Sequence, residues 1–305
     1  MKIVIALGGN ALGQTPTEQF NNAKLTAKYI VPIIKEGHEV VLTHGNGPQV
    51  GLINLAFSES SKINSKVSEM PFSECSAMSE GYIAYHLSLA LTNELYKNGI
   101  NKKVTSLITN VLVDEADPAF LNPTKPIGNF YTYDEIKDSP YPFKEDSGRG
   151  YRRVIASPKP VKILEENEVN TLLKEGYIVI TCGGGGIPVI KDHNGYRGID
   201  AVIDKDYASS KLASDINADK FLILTTVKNA KINFNKPNEL ELFKISSKEL
   251  EMHLLNGEFK DGSMKPKVEA CLNYLKSKKD GVAIITDIDN ALNALNGLEG
   301  TIVEN

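Results

Sequence analysis

Gly183-Gly184-Gly185-Gly186-Ile187-Pro188 and, one short hairpin later, Ile203-Asp204-Lys205-Asp206 form the stretch around which the chain is organised. Tyr177 to Thr181 is an apolar strand candidate that runs directly into the four glycines. Without Cβ atoms, glycines let backbone N–H groups converge on an anion at close range, and the entropy this conformation costs implies a use. The competing reading is a flexible surface turn, although solvated turns seldom follow a buried apolar strand with four consecutive glycines. Lys205 stands between two carboxylates, ahead of a helical pattern over Tyr207 to Ile216, and adds a fixed cation. Together the two halves read as a cradle and a charged cover for a polyphosphate.

The rest of the chain must supply a body for this stretch. A length of 305 residues with 41% hydrophobic content is enough to bury a large core, as one sizeable α/β domain or one domain with an excursion. The net charge of −4 and pI of about 5.8 leave no global basic field for nucleic acid, so an anionic ligand must be held locally. Cys75, Cys182 and Cys271 are far apart and form no CxxC pair, which argues for reduced, buried intracellular thiols. The apolar run Met1 to Leu7 is too short for a signal-peptide core or a membrane span, so a soluble cytoplasmic protein with no membrane partner is expected. The five histidines show no HExxH or other ligand spacing, and no protein-held metal site is expected.

Taken in order, Lys2 to Leu7 reads as a buried parallel strand ending in Gly8-Gly9-Asn10-Ala11-Leu12, at the edge where open α/β sheets place ligands. A dinucleotide-binding Rossmann site fails on spacing, because the next glycine is Gly13 and no GxGxxG follows. Phe20, Ala23, Ala27, Ile30, Val31 and Ile34 recur at helical spacing, with Pro32 expected to kink the last turns and Gly37 to stop them. His38 to Thr43 is a second strand, running into His44-Gly45-Asn46-Gly47-Pro48. Two such strand ends separated by one helix lie side by side in a right-handed βαβ unit and face one crevice. His44 is either an acid/base or a satisfied histidine at a strand terminus. Glu74 to Lys97 is a long helix that could bury against the sheet or a second subunit, and Lys103 to Val113 follows as a strand.

From Asp114 to Pro160 prolines and aromatics replace clean periodicity, which predicts an inserted lid subdomain within a single domain spanning 1–305. Prolines at 123 and 126 clamp Lys125, which reads either as a positioned cation or as a solvated one, and Arg149, Arg152 and Arg153 form a cluster for salt bridges or ligand contacts. Lys220 to Val227 is a further strand, followed by a polar loop from Ile232 to Pro237 of the kind that borders an adenine or ribose. Ser263 is expected to cap a helix that places Lys267 in its first turns, where dipole and ammonium both favour an anion. Val282 to Thr286 and Gly300 to Val303 supply last strands around a helix from Ile288 to Leu295. No GxxxxGK[ST], HRD or DFG set occurs, so lysines 125, 205 and 267 must handle phosphate on a different nucleotide fold.

ALGGNAL at Ala6 to Leu12, THGNGPQVG at Thr43 to Gly51, NPTKPIG through Gly128, GRGYRRV through Val154, SPKP at Ser157 to Pro160, GGGGIPV, AVIDKD at Ala201 to Asp206, INFNKP and GSMKPKVEA occur in one order. This set resembles the carbamate kinases of the amino acid kinase family, from the first strand to Thr301. The resemblance implies a three-layer αβα fold with a mainly parallel sheet, a protruding lid, a homodimer, and reversible transfer between ATP and carbamate with Mg²⁺. That activity would serve ATP synthesis in arginine deiminase or related nitrogen catabolism; a kinase of another small carboxylic acid and a non-catalytic nucleotide-binding regulator are the alternatives. It further implies that Gly8, Gly9, Asn10, Gly45, Asn46 and Gly47 hold the small acceptor, and that Lys125, Lys205 and Lys267 surround the transferred phosphoryl with Asp206 orienting them. Gly183 to Gly186, Thr225, Asn233 and Met264 are expected at the nucleotide. Related acylamino-acid kinases carry a first-strand lysine where this chain has Ala6, so Lys125 is expected to supply that charge. The chain departs from the family pattern at Ser76, Glu80 and Lys228.

Overall fold

Alternation along the strand Lys2–Leu7 sets the architecture. Ile3, Ile5 and Leu7 enter one apolar cluster while Val4 and Ala6 enter another, and all five are fully buried. A strand buried on both faces must be covered by helices on both faces, which is the physical basis of three layers. The computed structural model describes residues 1–8, 13, 15–139, 141–146, 148–260 and 262–305.

Lys2–Leu7 lies inside an eight-stranded sheet, parallel to Glu39–His44 on one side and Lys220–Thr225 on the other. Ile178–Ile180 and Val104–Ser106 extend the first side, and Val282–Asp287, Thr301–Glu304 and Lys244–Ser246 extend the second. Only Val282–Asp287 and Thr301–Glu304 pair antiparallel, so the sheet is mainly parallel. On one face pack the helices Pro16–Lys35 and Phe72–Lys97, through Ala27, Ile30, Ile83 and Leu87. On the other pack Lys205–Asp215 and Met264–Ser277, through Leu212, Ala213, Val268 and Leu272. Pro16–Lys35 begins at a capping box between Thr15 and Glu18 and continues through Pro32 to Lys35.

Two smaller sheets flank this body. Gly195–Gly198, Ile187–Asp192, Asn110–Val113 and Pro160–Ile163 form one. Lys125–Tyr131, Tyr151–Ile155 and Phe143–Glu145 form an antiparallel three-stranded sheet inside the proline-rich segment. It leans on the helix Gly47–Ile63 so closely that a Cβ on Gly51 would lie 2.6 Å from the Gly128 backbone. Ile127 and Ile155 complete a small apolar cluster with Val50, Phe72, Cys75 and Val202.

One expected strand divides. Lys103 to Val113 becomes Val104–Ser106 in the main sheet and Asn110–Val113 in the four-stranded one. The break falls at Thr109, whose N–H donates to Glu80 Oε2 at 3.1 Å, and at Asn110, whose N–H and side-chain amide both donate to Glu165. The last helix is also shorter than expected, Ala291–Leu295, because Asp287 takes the Asn290 N–H and holds the preceding residues in a turn.

Candidate functional site

The carboxyl ends of the parallel strands converge as the spacing predicts. Leu7 pairs with His44, so Gly8 and Gly45 leave neighbouring strands side by side. A Cβ on Gly8 would lie 2.7 Å from the Leu224 carbonyl oxygen on the opposite neighbour, which explains a glycine at this edge. Gly45 and Asn46 are buried, Asn46 donates through Nδ2 to Ser79 Oγ at 2.9 Å, and Gly47 opens the next helix with its surface exposed. Gly9 and Asn10, also expected at this edge, lie outside the described residues.

Beyond Gly8 opens a cavity of about 650 Å³, within the range of cofactor sites. Its apolar walls are Leu25, Leu224, Phe234, Phe259, Met264 and Ile288. Polar groups enter from Asn22, Thr225, Asn229, Lys231, Glu258, Lys260, Asp287 and Asp289. Lys267 also lines it, which joins the cavity to the charged cluster beneath.

That cluster is built on the start of the helix Lys205–Asp215. Asp206 receives Lys205 Nζ on Oδ1 at 2.7 Å and Lys267 Nζ on Oδ2 at 3.0 Å. Burial alone would raise the Asp206 carboxyl, but the adjacent charges of Lys205 and Lys267 outweigh it and hold the group down at about 2. Asp204, two residues earlier, accepts the Asp206 N–H on Oδ1 at 2.9 Å and the Lys125 ammonium on Oδ2. Three ammonium groups from three distant segments therefore meet two carboxylates at a helix N-terminus, and the local charge sums to positive. Ser263 makes no side-chain cap bond, so the expected cap for the helix bearing Lys267 is absent; the Ser263 backbone stands at φ −127° and ψ −95°, away from the extended geometry that aims a capping hydroxyl.

The backbone of the glycine run is engaged largely within the protein. The N–H of Gly183 donates to Glu80 Oε1 at 2.9 Å, and those of Gly185 and Gly186 donate to the Cys182 and Gly183 carbonyls. Gly183 to Gly186 are buried and are not among the residues lining the 650 Å³ cavity, and three of their four N–H donors are engaged within the protein. What the glycines provide is closeness. A Cβ would fall 2.4 Å from His44 Nε2 at Gly183, 2.0 Å from Asn46 Nδ2 at Gly184, and 2.3 Å from the Ile203 carbonyl at Gly185. The turn thus seats His44 and Asn46 directly against the segment that leads into Asp204 and Lys205.

His44 is fully buried, with Nδ1 2.9 Å from the Gly45 carbonyl; an oxygen acceptor there places the proton on Nδ1 and leaves Nε2 as a lone pair without a partner among the described residues. Burial, with the charge of Lys205 acting in the same direction, pushes the ring down to about 4, so it is neutral near pH 7. Asn233 adopts φ +53° and donates its N–H to Glu258, and its neighbour Phe234 lines the cavity. Thr225 and Met264, expected at the nucleotide, stand in the cavity wall. Lys228 turns away to pair with Glu299 at 2.6 Å. In the arginine cluster Arg149 and Arg152 bind Asp146, while Arg153 donates to Asn54 and stacks 3.6 Å over Tyr141. The residues missed from sequence are Asp204 as the lysine's partner, the Glu258 to Lys260 wall, and Asp287 to Asp289. The last follow directly on a parallel strand, a position the strand-end rule could have found. No group of three or more acidic, His or Cys side chains suited to a metal occurs among the described residues.

A profile of the amino acid kinase family matches residues 1–286. The chain is 50% identical over 305 aligned residues to the carbamate kinase-like protein YqeA of Escherichia coli strain K12, covering 99% of this chain and 98% of that protein. It is 48% identical over 307 residues to the carbamate kinase of Staphylococcus haemolyticus, covering 99% of each. Among solved structures, carbamate kinase from Giardia lamblia bound to AMP-PNP superposes with a TM-score of 0.92 at 42% identity, covering 99% of this chain and 98% of that one.

Proposed function

Because the chain belongs to the amino acid kinase family, we propose that it catalyses reversible phosphoryl transfer between ATP and carbamate, giving ADP and carbamoyl phosphate. The observation that carries this reading is the double membership of Lys267, which lines the large cavity and shares Asp206 with Lys205. A nucleotide in the cavity would direct its terminal phosphate toward that ammonium pair. Carbamate is already an ionised nucleophile, so transfer needs charge neutralisation and in-line positioning more than proton removal. His44, whose ring burial holds down at about 4, is a weak proton acceptor, which agrees with a step that needs no base.

In this reading each residue has a role. Lys205 and Lys267 neutralise the moving phosphoryl, and Asp206 fixes their spacing. Lys125 approaches from the three-stranded sheet and supplies the charge that Ala6 cannot. Gly8, Gly45, Asn46 and Gly47, with Gly9 and Asn10, hold the small acceptor, and Thr225 and Met264 border the nucleotide. Mg²⁺ would arrive on the nucleotide phosphates and neutralise the leaving oxygens; the nearby Asp204 and Asp206 carboxylates are both engaged by ammonium groups, which suits a metal carried by phosphate rather than a protein cage.

A homodimer belongs to this reading, supported by Met78, Tyr85, Leu89 and Tyr96, which recur at helical spacing with much of their surface exposed along Phe72–Lys97. A cytoplasmic setting is supported by three free, buried thiols and by the absence, among the described residues, of a helix long and apolar enough to cross a membrane. ATP synthesis in arginine deiminase or related nitrogen catabolism is the physiological role that would use the reverse direction. A coupled assay of ATP formation from carbamoyl phosphate and ADP tests the activity; a rate equal to the blank would remove it.

A further inference from the structure

We infer that Asp204 is a positioning residue whose task is to bring Lys125 to the reaction cluster. The inference rests on the phosphotransfer reading above and adds a residue to it. Asp204 divides its carboxylate between two elements. Oδ1 accepts the Asp206 N–H at 2.9 Å and caps the helix Lys205–Asp215, while Oδ2 accepts the ammonium of Lys125. Both side chains are partly sheltered from solvent, at 15% exposure for Asp204 and 32% for Lys125, so the pair is screened less than a surface one.

Charge makes such a tether necessary. Lys205 and Lys267 already occupy one site on each oxygen of Asp206 and place two positive charges there. A third ammonium arriving beside them meets like charge unless it brings or finds its own anion. Asp204 is that anion, and its place is fixed by the helix it caps, so the lysine is delivered to a defined point two residues from the Asp206 hub. The backbone supports the same end: Pro123 and Pro126 restrict the chain around Lys125, and Lys125 opens a strand paired to Ile155. Three cations and two anions leave one positive charge for an incoming oxyanion, with each ammonium retaining N–H groups beyond the one given to a carboxylate.

Asp204→Asn separates the two tasks. Asparagine keeps a cap acceptor for the Asp206 N–H but turns an amide NH₂ toward the ammonium. Steady-state kinetics of the full chain, its Asp204→Asn and Lys125→Ala variants and the double variant measure the coupling. The expected result is a kcat loss of about 10- to 100-fold for Asp204→Asn, with the nucleotide KM changed by less than about 3-fold. In the Lys125→Ala background the same substitution changes kcat by less than about 3-fold. An equal loss in both backgrounds, or none in the first, overturns the inference. Hydrogen exchange supplies a readout independent of turnover: Asp204→Asn should speed exchange in Lys125–Tyr131 and Tyr151–Ile155 while leaving Lys2–Leu7 unchanged, and no change in the three-stranded sheet also overturns it. A wild-type chain inactive toward carbamoyl phosphate sinks the functional reading, while the exchange result still decides whether Asp204 holds the lysine.

Discussion

Lys267 Nζ lies 3.0 Å from Oδ2 of Asp206, a residue 61 positions earlier in the chain. The bond joins the helices Lys205–Asp215 and Met264–Ser277 where both begin, so two positive helix ends and two ammonium groups face the same space. Such an arrangement is costly unless balanced, and Asp206 is the balance.

Removing either ammonium should slow the reaction far more than it loosens the fold. Lys205→Ala and Lys267→Ala are each expected to lose about 2–4 kcal/mol of transition-state stabilisation, the scale of one preorganised donor. The measurement is kcat for both variants; a wild-type value in either would exclude that lysine from the chemistry.

Asp206→Asn should instead damage the fold. It leaves two sheltered ammonium groups sharing a neutral amide, and loss of one partner from a buried charged set is destabilising by about 3–5 kcal/mol. Because the wild-type carboxyl is held down at about 2, its contribution is present at neutral pH and is lost as pH falls from its ordinary value of 3.8 toward 2. Urea denaturation at pH 7 and pH 3 checks this: the gap between wild type and variant should narrow in acid.

Glu80 predicts a slope of opposite sign. Burial pushes its carboxyl up to about 8, against the pull of the Thr109 and Gly183 N–H groups, and Glu165 adds in the same upward direction. Between the ordinary carboxylate value of 4.5 and pH 8 the folded chain keeps a proton that the unfolded chain has released. Stability therefore falls as pH rises through that window, by at most about 1.4 kcal/mol per unit, and levels off above it. His44 acts in a lower window, from 6.5 down to about 4, where falling pH is destabilising. Thermal unfolding from pH 6.5 to 8.5 thus isolates Glu80: the wild-type Tm should decline and that of Glu80→Gln should stay flatter. Parallel slopes would show that Glu80 is ionised throughout.

The glycine run offers a steric test with an internal control. Gly184→Ala places a Cβ 2.0 Å from the Asn46 amide at φ +67°, whereas Gly99→Ala meets nothing within 4 Å at φ +66°. The shared backbone strain is about 1 kcal/mol. Gly184→Ala should therefore cost more by at least ~2 kcal/mol, the scale of an overpacked core. Equal midpoints for the two variants would mean that the turn can relax away from Asn46.

Legibility in the sequence tracked how local each signal was. The strands Lys2–Leu7, Glu39–His44 and Lys220–Thr225 were readable because burial on both faces writes an unbroken apolar run. The glycines at 183–186 were readable as unusual, but their hydrogen bonding was not, since whether an N–H faces a ligand or Glu80 depends on a helix a hundred residues earlier. Lys205, Lys267 and Lys125 were named by motif, yet the carboxylate that receives Lys125 was not, because an N-cap aspartate looks the same whether or not a distant lysine reaches it. The Glu258 to Lys260 wall carries no periodicity or turn signature at all, and only the folded chain reveals it.

The split of Asp206 between two helices bears on synthesis at the ribosome. Until residue 267 has emerged, a nascent chain that has buried Asp206 holds that carboxylate with Lys205 alone, one ammonium short of the finished cluster. The charged centre thus closes late, once nearly nine-tenths of the polypeptide has been made, and a truncated product ending before that point would lack both Lys267 and the sheet strands Val282–Asp287 and Thr301–Glu304.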